Sequence, residues 1–327
     1  MKKYIILLLL NIFQLNAQDF HFSQFYAAPL ATNPALTGMF DGFMRLGANY
    51  RTQWSNINNG SYLYQTPSVY TDANLFDNNI ALGMVVLNDQ TNNKIYNTLE
   101  GGLSFAYKVK FKKMIISLGI QGWYFHRYLD YSRLNNSYIQ STAIFTNSID
   151  NFDFNSGIFA NYKLNKDITL FCGSSVSHLL HSSDQFSDNS SDRTIPLKYV
   201  FHGGSNIDLN STISLIPGLF YSNQALASQL NIGNIVSYKL STINENGDII
   251  LFAGMWARIN EFRVQSLIPK VGLEFNKIRY IASYDYTINS LNNEVYIANK
   301  SVPNTFEISI VYMISMPKRS SDFGCYF

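Results

Sequence analysis

The sequence predicts an all-β fold, a transmembrane antiparallel β-barrel of the outer-membrane type with about fourteen strands. Three observations carry that expectation. Apolar and polar residues alternate with a period of two along segment after segment. Charged residues make up only 14% of the 327 residues, against roughly 25% in soluble domains. Aromatic residues replace much of the missing charge, with 22 Tyr and 24 Phe. A surface that meets lipid cannot carry the Lys, Glu, Asp and Arg that a surface in water does.

The alternation is clearest from Phe43 to Trp54. Met44, Leu46, Ala48, Tyr50, Thr52 and Trp54 share one face, and Arg45, Asn49, Arg51 and Gln53 share the other. Successive side chains of a strand point to opposite sides, so both charges fall together. The same separation recurs in 99–109, 152–164, 270–275 and 306–314. A soluble sandwich also alternates. The membrane barrel is favoured by segment length, about 10 to 14 residues where soluble strands centre on about 5 to 6. It is also favoured by rings such as Trp54, Tyr107, Tyr124, Tyr162 and Tyr284 near the ends of the apolar faces, where headgroups suit them. The reading requires Arg45 and Asp153 to face away from bulk water.

The predicted segments begin near Phe43, Tyr62, Asn79, Ile95, Lys113, Phe152, Ile168, Lys198, Thr212, Ala227, Asp248, Ser266, Lys277 and Asn304. Connections after the even segments are mostly short, as at Asp77-Asn78 and Asn210-Ser211; 241–247 is a mild exception. Those after the fifth, seventh and thirteenth are long and polar. Short periplasmic turns and longer outer loops give that asymmetry, with the N-terminus in the periplasm.

The chain divides into three parts. Residues 1–17 read as a Sec signal peptide: Lys2 and Lys3, then the apolar run Tyr4 to Phe13, then Ala17 before a cut at Gln18. Residues 18–42 form an N-terminal periplasmic or plug-like segment, in which Pro29 and Pro34 forbid a regular ladder. Asn33-Pro34 with Gly38 reads as a fixed turn. This stretch either packs at the periplasmic mouth or inside the barrel, or is an ordinary capped terminus. Residues 43–327 form the barrel, placed in the cell outer membrane of a Gram-negative bacterium with outer-membrane lipid around it.

No pattern of chemistry stands out. The five histidines show no metal-ligand spacing, and His178 reads as a loop residue facing water. No catalytic triad is visible and no cofactor motif, so the chain is not expected to be an enzyme. The net charge of +2 gives no case for nucleic acid. Cys172 and Cys325 make no disulfide framework, and their pairing stays open. Inward charges of both signs (Arg45, Arg51, Glu100, Lys108, Asp153, Lys163, Arg258, Lys270, Glu274, Arg279 and Asp285) suit a mutually paired interior better than a selective pore.

The opening of the mature chain reads His21-Phe22-Ser23-Gln24-Phe25-Tyr26, then Asn33-Pro34-Ala35-Leu36-Thr37-Gly38, then Asn49-Tyr50-Arg51-Thr52-Gln53-Trp54. This resembles the PorP/SprF family of Bacteroidetes type IX secretion and gliding proteins. Ser175 to Leu180, Tyr284-Asp285-Tyr286-Thr287 and Phe306-Glu307-Ile308-Ser309 add weaker matches. The chain departs from the pattern at Phe306, where the family usually has His, and at Tyr326, where it usually has Pro. The resemblance implies an accessory barrel working with the secretion machinery. It also implies a secreted surface adhesin or other cargo as partner, and a periplasmic peptidoglycan-binding protein. The other reading is a passive porin or small-molecule transporter. Candidate structural or interaction residues are Phe22, Ser23, Gln24, Tyr26, Asn33, Pro34, Arg45, Arg51, Trp54, Asp285 and Glu307.

Overall fold

The structure, a computed structural model, describes residues 19–54, 63–92, 94–130, 132, 148–183, 194–240, 249–260, 263–288 and 304–315. The expected leader, Gln18, Cys325 and Tyr326 lie outside the described residues, as do the interiors of the longest connections.

Fourteen strands close into one antiparallel barrel in which each pairs with its sequence neighbours and the last returns to the first. They are β1 (Met44–Gln53), β2 (Tyr64–Leu75), β3 (Ile80–Thr91), β4 (Tyr96–Lys110), β5 (Met114–Leu129), β6 (Ser148–Lys163) and β7 (Ile168–Ser177). Then follow β8 (Lys198–Asp208), β9 (Ile213–Gln224), β10 (Ala227–Leu240), β11 (Ile249–Asn260), β12 (Arg263–Phe275), β13 (Ile278–Thr287) and β14 (Asn304–Ile314). Closure pairs every edge, which removes the open backbone groups that hydrocarbon could not satisfy. Among the described residues no helix is long and apolar enough to cross a membrane.

The expected fold class is therefore the observed one, with most strand starts within a residue or two. β6 and β12 differ. β6 begins at Ser148 because Ser148 still pairs with Tyr128 of β5, beyond the apolar stretch that marks the strand in sequence. β12 begins at Arg263, paired with Asn260 across a register shift in the ladder.

The two faces of the wall are opposite to those of a soluble sandwich. Phe152 is 68% exposed, Leu103 67% and Val271 60%, all pointing outward. Asp153, beside Phe152 in sequence, is 1% exposed, and Arg45 is also buried. Outward tyrosines fall near both ends of the strands. Tyr107, Tyr162, Tyr238, Tyr280 and Tyr312 lie toward one rim, and Tyr50, Tyr124, Tyr199, Tyr284 and Tyr286 toward the other. Aliphatic side chains fill the band between. Two ring girdles around an apolar belt are the arrangement that a bilayer's two interfaces select.

One rim carries the connections 76–79, 111–113, 164–167, 209–212, 241–248 and 276–277. The last is a two-residue turn with Asn276 and Lys277 both at positive φ, which matches the right-handed strand twist. Lys163 ends β6 at this rim and is exposed rather than lumenal. The opposite rim carries 54–63, 130–147, 178–197 and 288–303, together with the tight connections 92–95, 225–226 and 261–262. The length asymmetry is thus real but incomplete.

Residues 19–43 run through the interior. A 3-10 turn at Phe25–Ala27, the single helical turn α1 (Pro29–Thr32) and a second 3-10 turn at Pro34–Leu36 compact this strap. Both prolines open helical turns, where a missing N–H costs nothing. The strap runs from rim to rim. Asp19 contacts Gln224, His178 and Lys198 at the long-loop rim, and Gly42 sits against Asn74 and Ile314 at the short-turn rim. The strap crosses the whole lumen before β1 turns back alongside it.

Candidate functional site

The candidate site is the lumen and the strap that fills it. Its upper half, toward the long-loop rim, is organised around Ser23. The Ser23 N–H donates to Glu307 Oε2 at 2.8 Å, and the Gln24 N–H donates to Oε1 of the same carboxylate at 2.9 Å. The Ser23 carbonyl accepts from Lys270 Nζ at 2.7 Å. Its hydroxyl accepts from Arg51 Nη1 at 2.6 Å and from Arg258 Nη2 at 2.7 Å, and donates to Asp285 Oδ2 at 2.7 Å. Gln24 Nε2 donates to Ser283 Oγ and to the Glu307 carbonyl, each at 2.9 Å.

The charges close on themselves. Arg51 Nη1 lies 3.1 Å from Glu307 Oε2, and Arg258 Nη1 lies 2.8 Å from Asp285 Oδ2. Arg51 and Glu307 are also direct partners across the β1–β14 seam. Two guanidinium groups and one amine thus face two carboxylates, and the strap's hydroxyl and carbonyl oxygens accept from the basic groups as well. Buried charges of this density hold only when paired and hydrogen-bonded.

Below Ser23 the contacts become aromatic. Phe25 stacks on Phe220 at 4.6 Å between centroids and meets Trp256 edge-on at 5.4 Å. Lys270 Nζ sits 4.6 Å from the Tyr26 ring centroid and 4.5 Å from that of Trp256. Those faces attract a cation withdrawn from water.

The lower half is held by neutral groups around Asn33 and by charged groups nearer the short-turn rim. Asn33 caps its own turn by accepting the Ala35 N–H at 2.9 Å. Its amide nitrogen lies 3.1 Å from the Ile158 carbonyl, 3.2 Å from the Ser174 carbonyl and 3.1 Å from His202 Nε2. Gly119 of β5 and Gly157 of β6 face each other across the ladder beneath this turn. A Cβ at Gly119 would overlap the Pro34–Ala35 peptide, and one at Gly157 would overlap the Asn33 side chain. Glycine is required here because two backbones touch. Farther down, Arg45 bonds Asp72 through Nε at 2.9 Å and Nη2 at 2.8 Å. Asp72 also accepts the Gly38 N–H at 2.7 Å, and Lys108 Nζ donates to the Gly38 carbonyl at 2.8 Å.

At the opposite end, Asp19 exchanges hydrogen bonds with Gln224 and lies 2.7 Å from His178 Nε2 and 3.4 Å from Lys198 Nζ. His178 Nδ1 faces Asp153 Oδ2 at 3.1 Å. Burial disfavours the charged imidazole, but the Asp19 charge and the two carboxylate hydrogen bonds outweigh it and push His178 up to about 9. Burial likewise opposes ionisation of Asp19, yet Lys198 and His178 hold its carboxyl far below the usual carboxylate range. His178 is 3% exposed, so the expectation of a loop residue facing water is wrong. It directly follows β7, and its ring turns inward between two acids that sequence spacing does not connect.

The other candidates divide clearly. Phe22, Ser23, Gln24, Tyr26, Asn33, Pro34, Arg45, Arg51, Asp285 and Glu307 are all buried in the lumen, along the strap or against it. Trp54 is not among them. It sits just past β1 at the long-loop rim with its ring edge-on to Tyr64 at 5.4 Å. Asp19, Lys198, Gly119 and Gly157 carry no signal of this role in the sequence. Cys172 is exposed on the wall.

Chemically, the arrangement binds a peptide rather than activating a nucleophile. Ser23 Oγ already has three protein partners. Among the described residues no trio of His, Cys, Asp or Glu converges as a metal site.

Comparison with solved structures reproduces the barrel at very low identity. The Ralstonia pickettii toluene transporter TbuX matches with a TM-score of 0.51 at 11% identity, over 87% of this chain and 92% of that one. The monoaromatic hydrocarbon channel CymD matches with a TM-score of 0.51 at 10% identity, over 92% and 94%. The P. putida toluene transporter TodX gives 0.50 at 12% identity, over 89% and 94%. These likenesses establish an outer-membrane barrel fold and nothing about cargo. No curated protein matches the chain in sequence. The model of the type IX secretion system membrane protein PorP/SprF matches residues 14–312. The chain belongs to the PorP/SprF family, membrane proteins of the type IX secretion system.

Proposed function

We propose that this protein is a plugged accessory barrel that helps type IX secretion deliver or hold one specific protein, such as an adhesin, at the cell surface. In this reading a Sec leader directs the chain to the outer membrane of a Bacteroidetes-like cell. The long-loop rim faces outward and meets the secreted partner. The short-turn rim faces the periplasm, where a peptidoglycan-binding protein would dock.

The observation that supports it best is the strap. A diffusion channel needs an open lumen, whereas here side chains from most of the wall are committed to residues 19–42. The bonds to Ser23 alone engage five charged side chains. Family membership supports the link to secretion.

Two measurements test the reading. Purified barrel in a planar bilayer should be electrically silent; steady conductance would favour a passive channel. Deleting the gene should remove one or a few proteins from the cell surface while general type IX secretion continues. An unchanged surface proteome would defeat the anchoring role.

A further inference from the structure

The strap has a direction, and that direction has a consequence for its amino-terminal end. Asp19 is the first described residue, and each of its partners marks the long-loop rim. Gln224 ends β9 at the 225–226 turn, His178 follows β7, and Lys198 opens β8. Ser23 lies slightly deeper, bonded to Asp285 near the end of β13 and Glu307 near the start of β14. Asn33 lies at mid-depth against β6, β7 and β8. Gly38 and Gly42 reach Asp72 and Asn74, near the end of β2 at the opposite rim. Depth therefore increases steadily along the strap, from one rim to the other.

We infer that the amino-terminal end of the strap, at Asp19, opens on the cell-surface side, at the rim where β7, β9 and β13 end and β8, β10 and β14 begin. The inference rests on the outward orientation of that rim in the functional reading above. It brings the start of the strap to the side of the membrane on which a secreted partner would be met. Asp19 fastens that start, since its carboxylate is shared by Gln224, His178 and Lys198 and its N–H is bound to Gln224. A terminus left in the periplasm would have to pull these contacts apart.

Site-directed labelling of intact cells tests this. In a full-length chain carrying Cys172→Ser and Cys325→Ser, single cysteines are introduced at three places. They are an inserted Gly-Cys between Gln18 and Asp19, Leu226→Cys in the β9–β10 turn, and Lys166→Cys in the β6–β7 turn. Leu226 is 85% exposed and the Lys166 side chain 89% exposed, so both report their own side of the membrane. With a membrane-impermeant maleimide, the insertion and Leu226→Cys should label in intact cells, and Lys166→Cys only after permeabilisation.

Labelling of Leu226→Cys but not of the insertion in intact cells would overturn the inference and leave the orientation standing. Labelling of Lys166→Cys but not Leu226→Cys would overturn the orientation, and the surface placement with it. Should the insertion prevent assembly, the double variant Asp19→Cys/Gln224→Cys carries the test. A bifunctional maleimide added to intact cells should join the pair and change gel mobility. Absence of that product while Leu226→Cys still labels would count against the placement.

Discussion

The two halves of the strap occupy the same barrel but are held by different physics. From Asp19 to Gln24 the wall offers charge: Glu307, Asp285, Arg51, Arg258, Lys270, His178 and Lys198. From Pro29 to Ala35 it offers amides, carbonyls, a hydroxyl and the bare backbone of glycines, and charge returns only at Leu36, whose carbonyl accepts from Arg45. The lower half continues covalently into β1, and its turn at Asn33–Ala35 is held by fit and neutral hydrogen bonds before Asp72, Arg45 and Lys108 take over at Leu36–Gly38. The upper half is the far end of a tether, and only strong, directional bonds hold it across the lumen. One consequence is that the upper half should respond to charge and pH, and the lower half to volume.

The largest effect is expected from Glu307→Ala. It leaves two backbone N–H groups without an acceptor and Arg51 with only Asp285 and the Ser23 hydroxyl in a buried site, a loss of up to about 3–5 kcal/mol for one partner of a buried pair. The variant should melt at lower temperature, and Phe20–Gln24 should become sensitive to protease added from the long-loop side. Glu307→Gln keeps an acceptor and should fall between. If Glu307→Ala leaves protection of Phe20–Gln24 unchanged, charge does not hold the upper half.

Next comes Gly119→Val, which probes the lower half by volume alone. Its side chain collides with the Pro34–Ala35 backbone, so destabilisation of about 1–3 kcal/mol is expected, as for overpacking elsewhere. Hydrogen exchange should speed up around Asn33–Gly38 while Ser23 stays protected. Equal acceleration in both halves would mean that the strap behaves as one unit.

Asn33→Ala should cost about 1–2 kcal/mol, the range for a lost cap and its companion bonds. The variant should unfold at lower denaturant concentration than the native barrel, and Asn33→Asp should not rescue it, because the amide nitrogen serves two carbonyls.

The pH response is smaller. His178 is charged in the folded barrel between Asp19 and Asp153, with Lys198, the Asn155 side chain and the Phe125 ring also facing it. Its folded value lies above the ordinary 6.5. Its contribution is therefore complete below about 6.5 and is lost as pH rises through about 9. Asp19 acts oppositely, with a lowered value whose contribution is present above the ordinary 3.8 and lost on acidification. Fluorescence of a probe on the inserted cysteine before Asp19 should become more mobile above pH 9 in the native background. That transition should be absent in His178→Gln.

Much of this architecture was legible in the sequence because a barrel wall obeys a local rule. Period-two alternation places most charges of a strand on one side, and turn residues mark where it reverses. Arg51, Asp285 and Glu307 could thus be assigned inward from their neighbours alone. The motif His21-Phe22-Ser23-Gln24 stood out only through family resemblance, since nothing in its own pattern states what it binds. His178 was misjudged because the acids on either side of its ring come from residues 19 and 153, and topology alone brings them together. Glycines 119 and 157 carry no signal in the sequence, because only the strap placed against them shows why a side chain is excluded there.

The seam between β1 and β14 has an implication for biogenesis. Arg51 and Glu307 face each other where the cylinder zips shut, and both grip Ser23, which is made among the earliest residues of the mature chain. The last strand to arrive therefore carries the acceptor for the first segment made. A chain missing its final strand would lack both the β1–β14 seam and the carboxylate that holds the Ser23 and Gln24 N–H groups. Chains truncated before Asn304 should accordingly be cleared by periplasmic proteases, and supplying β14 in trans as a peptide should protect them only when Glu307 is intact.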